Sequence, residues 1–496
     1  MRVLLYNFLQ PEEPGAGGVG VYLNNLAKSL AADHEVILLS SGDRFSPTKR
    51  EPRVEFVRDE YDRAIIVNSP VIAPAAYMFA DPNIYLEDNG LDFVPELLKE
   101  RFGQIDVLHF QNIEGLTRSF FTNLRLSFPK ARIIYSVHNY HPVCPRVSLW
   151  YQDRVVCDDY RAGAACTMCL APVFDPQYIR NRRRLIWAEK AYPRLTVVFS
   201  PIVKMAKSVR RSLLKRRAAT NMPPPLVGEA AGNSLETIDA PSGIPLAIPS
   251  RVASADTYAA FRLSNIALFE NVFDRVLAVS KRTSSVIIDR GVPADKVAIS
   301  YIGTAHKISY LNSTKIMDIG SGLHLGYIGY MGTDKGFNFL LEVLERVPDG
   351  IASSMTITIA AKNTFPERRA RMENLSKKYK ELRYFDGYTH DNIDSVLKGV
   401  NVGLIPVLWE DNLPQTAIEL VSRGIPIITS DRGGAQEIAD NRDFIFHAGR
   451  HDDLIDRLRG ICERKLPLAN FWKSEMRVFS MEEHLKDLLW HYGRNH

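Results

Sequence analysis

The chain of 496 residues is long enough for two or three domains with buried cores. Its apolar share of 46% and charged share of 24% are ordinary for a soluble globular protein, and its net charge of +5, if spread evenly, is weak evidence for nucleic acid binding. The sequence has no apolar run of about 18 residues, so we expect no transmembrane helix. Residues 1–15 have too short an apolar core for a signal peptide. A cytoplasmic protein is therefore the expectation.

The first 41 residues are predicted to form a strand, a glycine-rich turn, an amphipathic helix and a second strand. The segments are MRVLLYNF, QPEEPGAGGVG, VYLNNLAKSLAAD and HEVILLSS. This order is typical of a Rossmann-type βαβ unit. Glycine lets the backbone approach a ligand closely, so Gly17 and Gly18 are candidate ligand contacts. The turn is longer than a dinucleotide fingerprint and its glycines are spaced differently, which disfavours an NAD site.

Two further segments, IDVLHFQN and ARIIYSVHNY, are predicted to be buried strands with a histidine near the end. Open parallel sheets bind ligands at the carboxyl ends of their strands. His138 stands at such an end and is a candidate site residue, with His141 as a neighbouring substitute. A histidine on a strand is more often structural, and from the residues alone that interpretation stays open.

Four of the five cysteines fall in one segment, at Cys144, Cys157, Cys166 and Cys169. The last two form a Cys-x-x-Cys pair, and four thiols so close in sequence suit tetrahedral Zn²⁺. Four thiolates leave no open coordination position, so zinc here would be structural. Four reduced, buried thiols in a compact loop are the alternative.

Residues 175–265 depart from the alternation of strands and helices. Within them, 199–217 hold seven basic residues and no acidic one, with apolar residues at helical spacing. Such a helix is typical of an anionic membrane surface, and a core-facing helix with a solvated basic back is the alternative. Nucleic acid is a poorer partner because no aromatic residues are interleaved with the charges. The Pro/Gly-rich stretch 223–250 is expected to be a flexible loop.

A second α/β unit begins with HLGYIGYMGTDKGFNFLLEVLERV and culminates in residues 401–437, NVGLIPVLWEDNLPQTAIELVSRGIPIITSDRGGAQE. The latter segment is predicted as strand, loop, helix, strand, loop and helix. Asp411 lies in its first loop and Glu419 in its first helix. A helix N-terminus suits a diphosphate, and carboxylates beside it accept hydrogen bonds from vicinal hydroxyls. The pattern therefore indicates a phosphorylated, polyhydroxylated ligand, although a turn-forming Asp411 and a solvated Glu419 are the plainer alternative.

These motifs resemble those of the family 4 glycosyltransferases. One form of the family's donor motif is P-x-x-x-x-E-x-x-P-x-x-x-x-E-A-x-A-x-G-x-P-V, followed by a Gly-Gly-x-x-E turn. Asp411 occupies the position of its first Glu, and Glu419 that of its second. The early glycine pair, the IIYSVHNY strand end and the cysteine segment also resemble elements of relatives. In the family's G-R-x-x-x-x-K-G turn, Lys335 matches the Lys but Tyr330 replaces the Arg.

The resemblance covers most of the chain and leaves out the insert. It implies an α/β fold of GT-B type, with two Rossmann-like parallel-sheet domains facing across a cleft and a long insert in the first. The expected divisions are an acceptor domain at 1–305, a nucleotide-sugar-binding domain at 306–472 and a C-terminal helix at 473–496 that packs back on the first domain.

The resemblance also implies a retaining glycosyltransferase that uses a nucleoside-diphosphate sugar and needs no cofactor or metal for catalysis. Glu419 would bind the ribose and Asp411 the sugar, while His138 would position the sugar's outer hydroxyls. Lys335 and the helix start would stabilise the departing diphosphate. A lysine lacks the bidentate fork of an arginine, so the helix start must contribute more to binding the diphosphate. The remaining donor-binding candidates are Gly17, Gly18, Tyr330, Asn412, Leu413, Pro414, Gln415 and Thr416.

The expected acceptor is a glycan or a lipid-linked saccharide in cell-surface polysaccharide synthesis. The expected place is the cytoplasm, with peripheral attachment to the inner face of the membrane through 199–217. No nucleic acid partner is expected. A nucleotide-sugar epimerase or a phosphorylase on the same fold is one alternative, although no pyridoxal-lysine context is present. A catalytically divergent scaffold that binds carbohydrate or nucleotide is the other, and Tyr330 favours it.

Overall fold

The computed structural model describes residues 1–13, 17–41, 44–71, 82–86, 90–170, 184, 187–188, 253–306, 308, 315–362, 366–473 and 478–493. The predicted membrane-binding helix at 199–217 and the predicted flexible loop at 223–250 lie outside these residues. Among the helices that the structure describes, none combines the length and the hydrophobicity that crossing a bilayer requires.

The first half of the chain supplies strands and helices in alternation. Its strands are β1 (Arg2–Tyr6), β2 (Glu35–Ser40), β3 (Arg53–Arg58), β4 (Asp62–Val67), β5 (Val107–Phe110), β6 (Arg132–Val137), β7 (Trp150–Tyr151), β8 (Val155–Val156), β9 (Arg275–Ala278) and β10 (Val297–Ile299). Its helices are α1 (Gly17–Ala31), α2 (Asn83–Leu86), α3 (Val94–Phe102), α4 (Arg118–Ser127), α5 (Ala164–Cys169), α6 (Ala255–Asn271) and α7 (Lys281–Ile288).

Eight of these strands form one sheet in the order β10-β9-β6-β5-β1-β2-β4-β3. All pairings are parallel except that of β3 with β4. The central strands are short apolar runs buried on both faces, which is typical of a parallel sheet covered by helices. The carboxyl ends of β1, β5 and β6 therefore meet at one edge, where α1 begins and His138 follows β6.

The second half builds another sheet. Its strands are β11 (Gly303–Thr304), β12 (His324–Tyr330), β13 (Thr356–Lys362), β14 (Glu381–Phe385), β15 (Val402–Ile405), β16 (Ile427–Ser430), β17 (Ile445–Phe446) and β18 (Phe479–Ser480). Its helices are α8 (Phe337–Arg346), α9 (Asp349–Ala352), α10 (Pro366–Leu375), α11 (Ile393–Val396), α12 (Gln415–Ser422), α13 (Ala435–Ala439), α14 (His451–Cys462) and α15 (Met481–His491). Six strands form an all-parallel sheet in the order β14-β13-β12-β15-β16-β17.

Helix α12 begins one residue later than its sequence predicts. Pro414 is expected at the first helical position but stands at the N-cap, and Gln415 is the first helical residue. Proline fits there because its fixed φ suits a helix start and its missing N–H leaves no bond unmade. Gly424 adopts a φ of 75°, which lets the chain turn sharply from the helix into β16.

The C-terminal helix α15 returns to the first half of the chain. Strand β11 pairs with β18, directly before α15, and α15 packs on α1. The Tyr22 hydroxyl lies 2.7 Å from Nε2 of His484, and the Tyr492 hydroxyl lies 2.8 Å from Nδ1 of His109. A Cβ at Gly303 would lie 2.7 Å from the His484 Cβ, so only glycine lets the two segments approach this closely.

Helix α6 begins inside the region 175–265, for which the sequence predicts no regular alternation of strands and helices. It starts at Ala255, where the Ser254 side chain accepts from the Thr257 N–H at 3.2 Å. Arg262 donates from Nε to the carbonyl of Val143 at 2.9 Å, and much of the helix is buried. The apolar residues of α6 are spread around the helix rather than along one stripe, so hydrophobic periodicity gives no signal there.

Candidate functional site

A cavity of about 890 Å³ lies between the two sheets. The first half of the chain lines it with the start of α1 and the residue after β6. The second half lines it with the carboxyl ends of β12, β13 and β15 and the start of α12. Every predicted catalytic and donor-binding residue lines this cavity: Gly17, Gly18, His138, Tyr330, Lys335, Asp411, Asn412, Leu413, Pro414, Gln415, Thr416 and Glu419. Their individual roles stay predictions.

Lys335 and Asp411 form an ion pair in the cavity wall. The Lys335 Nζ lies 2.5 Å from Oδ2 of Asp411 and 4.9 Å from the centre of the Trp409 ring. Burial lowers the pKa of Lys335, but the carboxylates of Asp411 and Asp334 outweigh burial and raise it above its ordinary value. The lysine is therefore charged at neutral pH, and a bound anion must compete with Asp411 for it.

The start of α12 reaches across the cleft to the glycine turn. Gln415 donates from Nε2 to the carbonyl of Gly18 at 3.0 Å. The methyl group of Thr416 would lie 3.6 Å from a Cβ at Gly329, so α12 starts directly beside the end of β12. The first N–H groups of a helix have no partner within the helix, and they attract anions. The cavity therefore holds a helix N-terminus next to Lys335.

Glu419 also lines the cavity, and its carboxylate is held by a neighbouring tyrosine. Its side chain is 9% exposed, and Oε2 accepts from the Tyr388 hydroxyl at 2.7 Å. Its Oε1 lies 3.8 Å from Nε2 of His306. Nδ1 of that histidine is 3.3 Å from Nη2 of Arg423, which can only donate. In the tautomer in which Nδ1 accepts this hydrogen bond, Nε2 carries the proton, and Nε2 has no hydrogen-bond partner among the described residues.

Ligand atoms of His306, His390 and Glu419 lie within 4.8 Å of one another, and they are the one such group that the described residues contain. A histidine binds a metal through an unprotonated nitrogen. A metal ion bound by Nε2 of His306 would therefore require the contact between Nδ1 and Arg423 to be given up. Without a metal ion, the three side chains offer polar atoms to a ligand.

The four cysteines share one loop, but they do not form a metal-binding group in the described part of the chain. Cys169 Sγ accepts from the Gln152 N–H at 3.4 Å, and all four thiols are free. Burial raises the pKa of Cys144 to about 11 and that of Cys166 to about 12. The structure therefore places four thiols near one another without a tetrahedral set, and structural zinc stays a prediction.

His138 lies at the cavity wall as a neutral group. Its Nε2 is 2.8 Å from Oε1 of Gln111, and its ring centre is 5.0 Å from that of Tyr22. Burial lowers the pKa of His138 to about 3, so it offers a hydrogen bond rather than a charge. His141 does not replace it, because that side chain is buried against the rings of Tyr85 and Phe261 and does not line the cavity.

Glu410, next to Asp411 in sequence, points the opposite way and holds the two halves together. Its side chain is 1% exposed and accepts from Nε and Nη2 of Arg282 at 2.8 and 2.6 Å. It also accepts from Arg432 and from the Gly433 N–H, each at 3.2 Å. Burial raises the pKa of Glu410, but Arg282 outweighs it and holds the pKa below its ordinary value. We call this group the Glu410 clamp.

The Gly-Gly-x-x-E turn completes the same contact. Glu437 accepts from the backbone N–H groups of Lys281 and Arg282 at 2.9 and 2.6 Å, so it caps the start of α7 from the other half of the chain. Gly433 has a φ of 66°, and a Cβ there would overlap the backbone of Asp411. Ser280 donates to the carbonyl of Asn412 at 2.8 Å. The turn therefore shapes the loop of Asp411 rather than contacting the cavity.

Four residues that the sequence did not single out line the cavity or adjoin Glu419: Lys362, Tyr388, His306 and His390. Lys362 ends β13, and Tyr388 and His390 follow β14. Polar residues directly after a parallel strand are the available signal, because the carboxyl ends of such strands collect at one edge. No sequence signal marks His306, which follows β11.

Comparison with known proteins identifies the second half of the chain. Residues 322–464 match the model of the group 1 glycosyl transferases. No curated protein sequence matches the chain.

Solved structures that share the fold include the following two. HepE from Anabaena in complex with UDP matches with a TM-score of 0.53 and 11% identity, covering 99% of this chain and 100% of that chain. Sucrose-phosphate synthase from Thermosynechococcus elongatus matches with a TM-score of 0.53 and 14% identity, covering 99% of this chain and 98% of that chain. At these identities the likeness shows the fold. Residues 322–464 are therefore similar to the group 1 glycosyl transferases, and the chain has the GT-B fold.

Proposed function

We propose that the protein transfers a sugar from a nucleoside-diphosphate sugar to a glycan or a lipid-linked saccharide, with retention of the anomeric configuration. One observation carries this proposal. A single cavity brings together Glu419, the start of α12 and the Lys335–Asp411 pair. These groups offer partners for the ribose, the diphosphate and the sugar of a nucleotide sugar.

Lys335 and the α12 start are assigned to the leaving group. Negative charge develops on the diphosphate as its bond to the sugar breaks, and fixed positive groups stabilise that charge in the transition state. Lys335 exchanges Asp411 for a phosphate oxygen when the donor binds. The freed Asp411 carboxylate then accepts hydrogen bonds from the sugar hydroxyls, and His138 donates or accepts one more as a neutral group.

Retention follows from attack on the face that the diphosphate leaves. The acceptor hydroxyl oxygen bonds to the anomeric carbon while the bond from that carbon to the phosphate oxygen breaks. The hydroxyl proton passes to the departing phosphate oxygen. We assign Asp411 to sugar binding rather than to nucleophilic attack, because its carboxylate accepts hydrogen bonds from the sugar hydroxyls once Lys335 has turned to the phosphate.

Two further observations support the donor and the place of action. HepE has been solved with UDP and with UDP and glucose, which favours a nucleoside-diphosphate hexose. The basic composition of 199–217 favours an anionic membrane surface, and hence a lipid-linked acceptor in cell-surface polysaccharide synthesis on the cytoplasmic side.

The test is a donor screen without acceptor. The protein is incubated with UDP-, GDP-, ADP- and dTDP-sugars, and the released sugar is followed by proton NMR. We expect slow hydrolysis of one donor, with an α-linked donor giving the α-sugar first. Hydrolysis of none of them would refute the transferase, and first release of the opposite anomer would refute retention alone.

A non-catalytic scaffold is the second candidate, and Tyr330 is the observation that favours it. This residue stands where relatives carry a phosphate-binding Arg, and it is 65% exposed at the cavity rim. A scaffold would bind a nucleotide sugar in the screen without hydrolysing it in the presence or absence of any acceptor.

A further inference from the structure

The donor diphosphate carries more negative charge than the groups assigned to it balance. Four basic side chains line the cavity in the described part of the chain: Lys335, Lys362, His138 and His390. Lys335 is already paired with Asp411 at 2.5 Å. His138 is neutral at physiological pH because it is buried. Lys362 is therefore the lysine of this wall that is not already paired with Asp411.

Lys362 sits directly beside the position that lacks a cation. Strands β12 and β13 are parallel neighbours, and their register pairs Tyr330 with Lys362 at the last step of both strands. Adjacent strands lie about 4.8 Å apart. Gly329, one residue before Tyr330, faces Thr416 at the start of α12. A lysine at 362 can thus extend over the same edge as an arginine at 330.

The Lys362 side chain is also available to a ligand. It is exposed at the cavity, and among the residues that the structure describes it has no ion-pair partner. A lysine ammonium on a flexible four-carbon stem can follow a phosphate without a preformed fork. This freedom separates Lys362 from Lys335, which is fixed between Asp411 and the Trp409 ring.

We infer that Lys362 binds the donor diphosphate and takes the part of the arginine that Tyr330 replaces. The ammonium group contacts phosphate oxygens from the β13 side while the α12 start contacts them from the other. The phosphate-binding cation then lies on β13, one strand away from the position of the arginine in relatives. The inference rests on the proposed function, since it assumes a nucleoside-diphosphate donor.

The test separates phosphate binding from nucleoside binding. UDP, GDP, ADP and dTDP are titrated calorimetrically into the wild type. For the base that binds, the nucleoside, monophosphate and diphosphate are then compared in Lys362→Ala, Lys362→Arg and the matched control Lys377→Ala, which removes an exposed lysine away from the cavity. Thermal unfolding checks that each variant is folded.

We expect Lys362→Ala to weaken diphosphate binding roughly 10- to 100-fold, as for loss of a charge-assisted hydrogen bond, and to leave nucleoside binding unchanged. Lys362→Arg should restore it, and Lys377→Ala should bind as the wild type does. Unchanged diphosphate binding in Lys362→Ala, or equal weakening of nucleoside and diphosphate, would overturn the inference while the proposed function stands. If no diphosphate binds the wild type, the proposed function and this inference fall together.

Discussion

Arg282→Met should loosen the junction of the two domains by removing one side of the Glu410 clamp. The arginine makes two charge-assisted hydrogen bonds to a carboxylate that is 1% exposed. Breaking a buried ion pair by removing one partner costs about 3–5 kcal/mol. Arg282 is 38% exposed, and Arg432 and the Gly433 N–H keep their contacts at 3.2 Å. We therefore expect a loss in unfolding free energy below that range, about 2 kcal/mol.

The pH dependence of this loss identifies its cause. Arg282 holds the pKa of Glu410 below its ordinary value of 4.5, so the pair stabilises the fold above pH 4.5 and that contribution is lost as pH falls through the lowered native pKa. In Arg282→Met the buried carboxylate is poorly compensated and takes up a proton earlier. The difference in stability between variant and wild type should thus be largest near pH 7 and shrink toward pH 4.

The assay is thermal and urea unfolding of both proteins at several pH values, with Arg383→Met as the matched control. Arg383 makes a similar two-pronged pair with Glu381, at 2.8 Å for both bonds, but that pair is on the surface. Exposed pairs contribute little, so this variant should unfold as the wild type does. Equal losses in the two variants, or a loss in Arg282→Met that does not change with pH, would refute the reasoning.

Three other predictions follow from the site and from the cysteine and basic segments. Tyr388→Phe removes the hydroxyl that orients Glu419. Loss of this hydrogen bond, worth about 1 kcal/mol, should raise the donor KM severalfold and leave the thermal midpoint unchanged. Metal analysis should find zinc in the purified wild type and far less in Cys166→Ser, and well under one equivalent in the wild type would rule out structural zinc. Deleting 199–217 should abolish co-sedimentation with anionic vesicles at low salt, and unchanged co-sedimentation would exclude the membrane-binding helix.

The helices, strands and site residues whose signals lie within a few neighbouring residues could be predicted from the sequence. The α12 helix has a proline at its start and a glycine after its end, and Asp411 and Glu419 are placed by spacing within one loop and one helix. The strands are short apolar runs, so their parallel arrangement followed from composition and order.

Side-chain directions and contacts that are set by residues far away in the sequence could not be predicted. Glu410 and Asp411 are adjacent acids, yet one is buried against Arg282 and the other faces the cavity. Nothing in the dipeptide distinguishes them, because the direction of each side chain is set by the Gly433 turn and by α7. Lys362 lies beside Tyr330 because of the register of β13 against β12, which the sequence does not show. Helix α6 was missed since its apolar residues surround it on most sides.

Calorimetric titration of the wild type, Glu419→Gln and Glu419→Ala with UDP, GDP, ADP and dTDP tests the central claim most directly. The account predicts that one of these diphosphates binds the wild type with one site per chain. Both variants should weaken that binding by roughly 10-fold or more, because hydrogen bonds from the ribose to a charged acceptor are lost. Binding of none of the four, or equal affinity in wild type and both variants, would contradict a donor site built around Glu419.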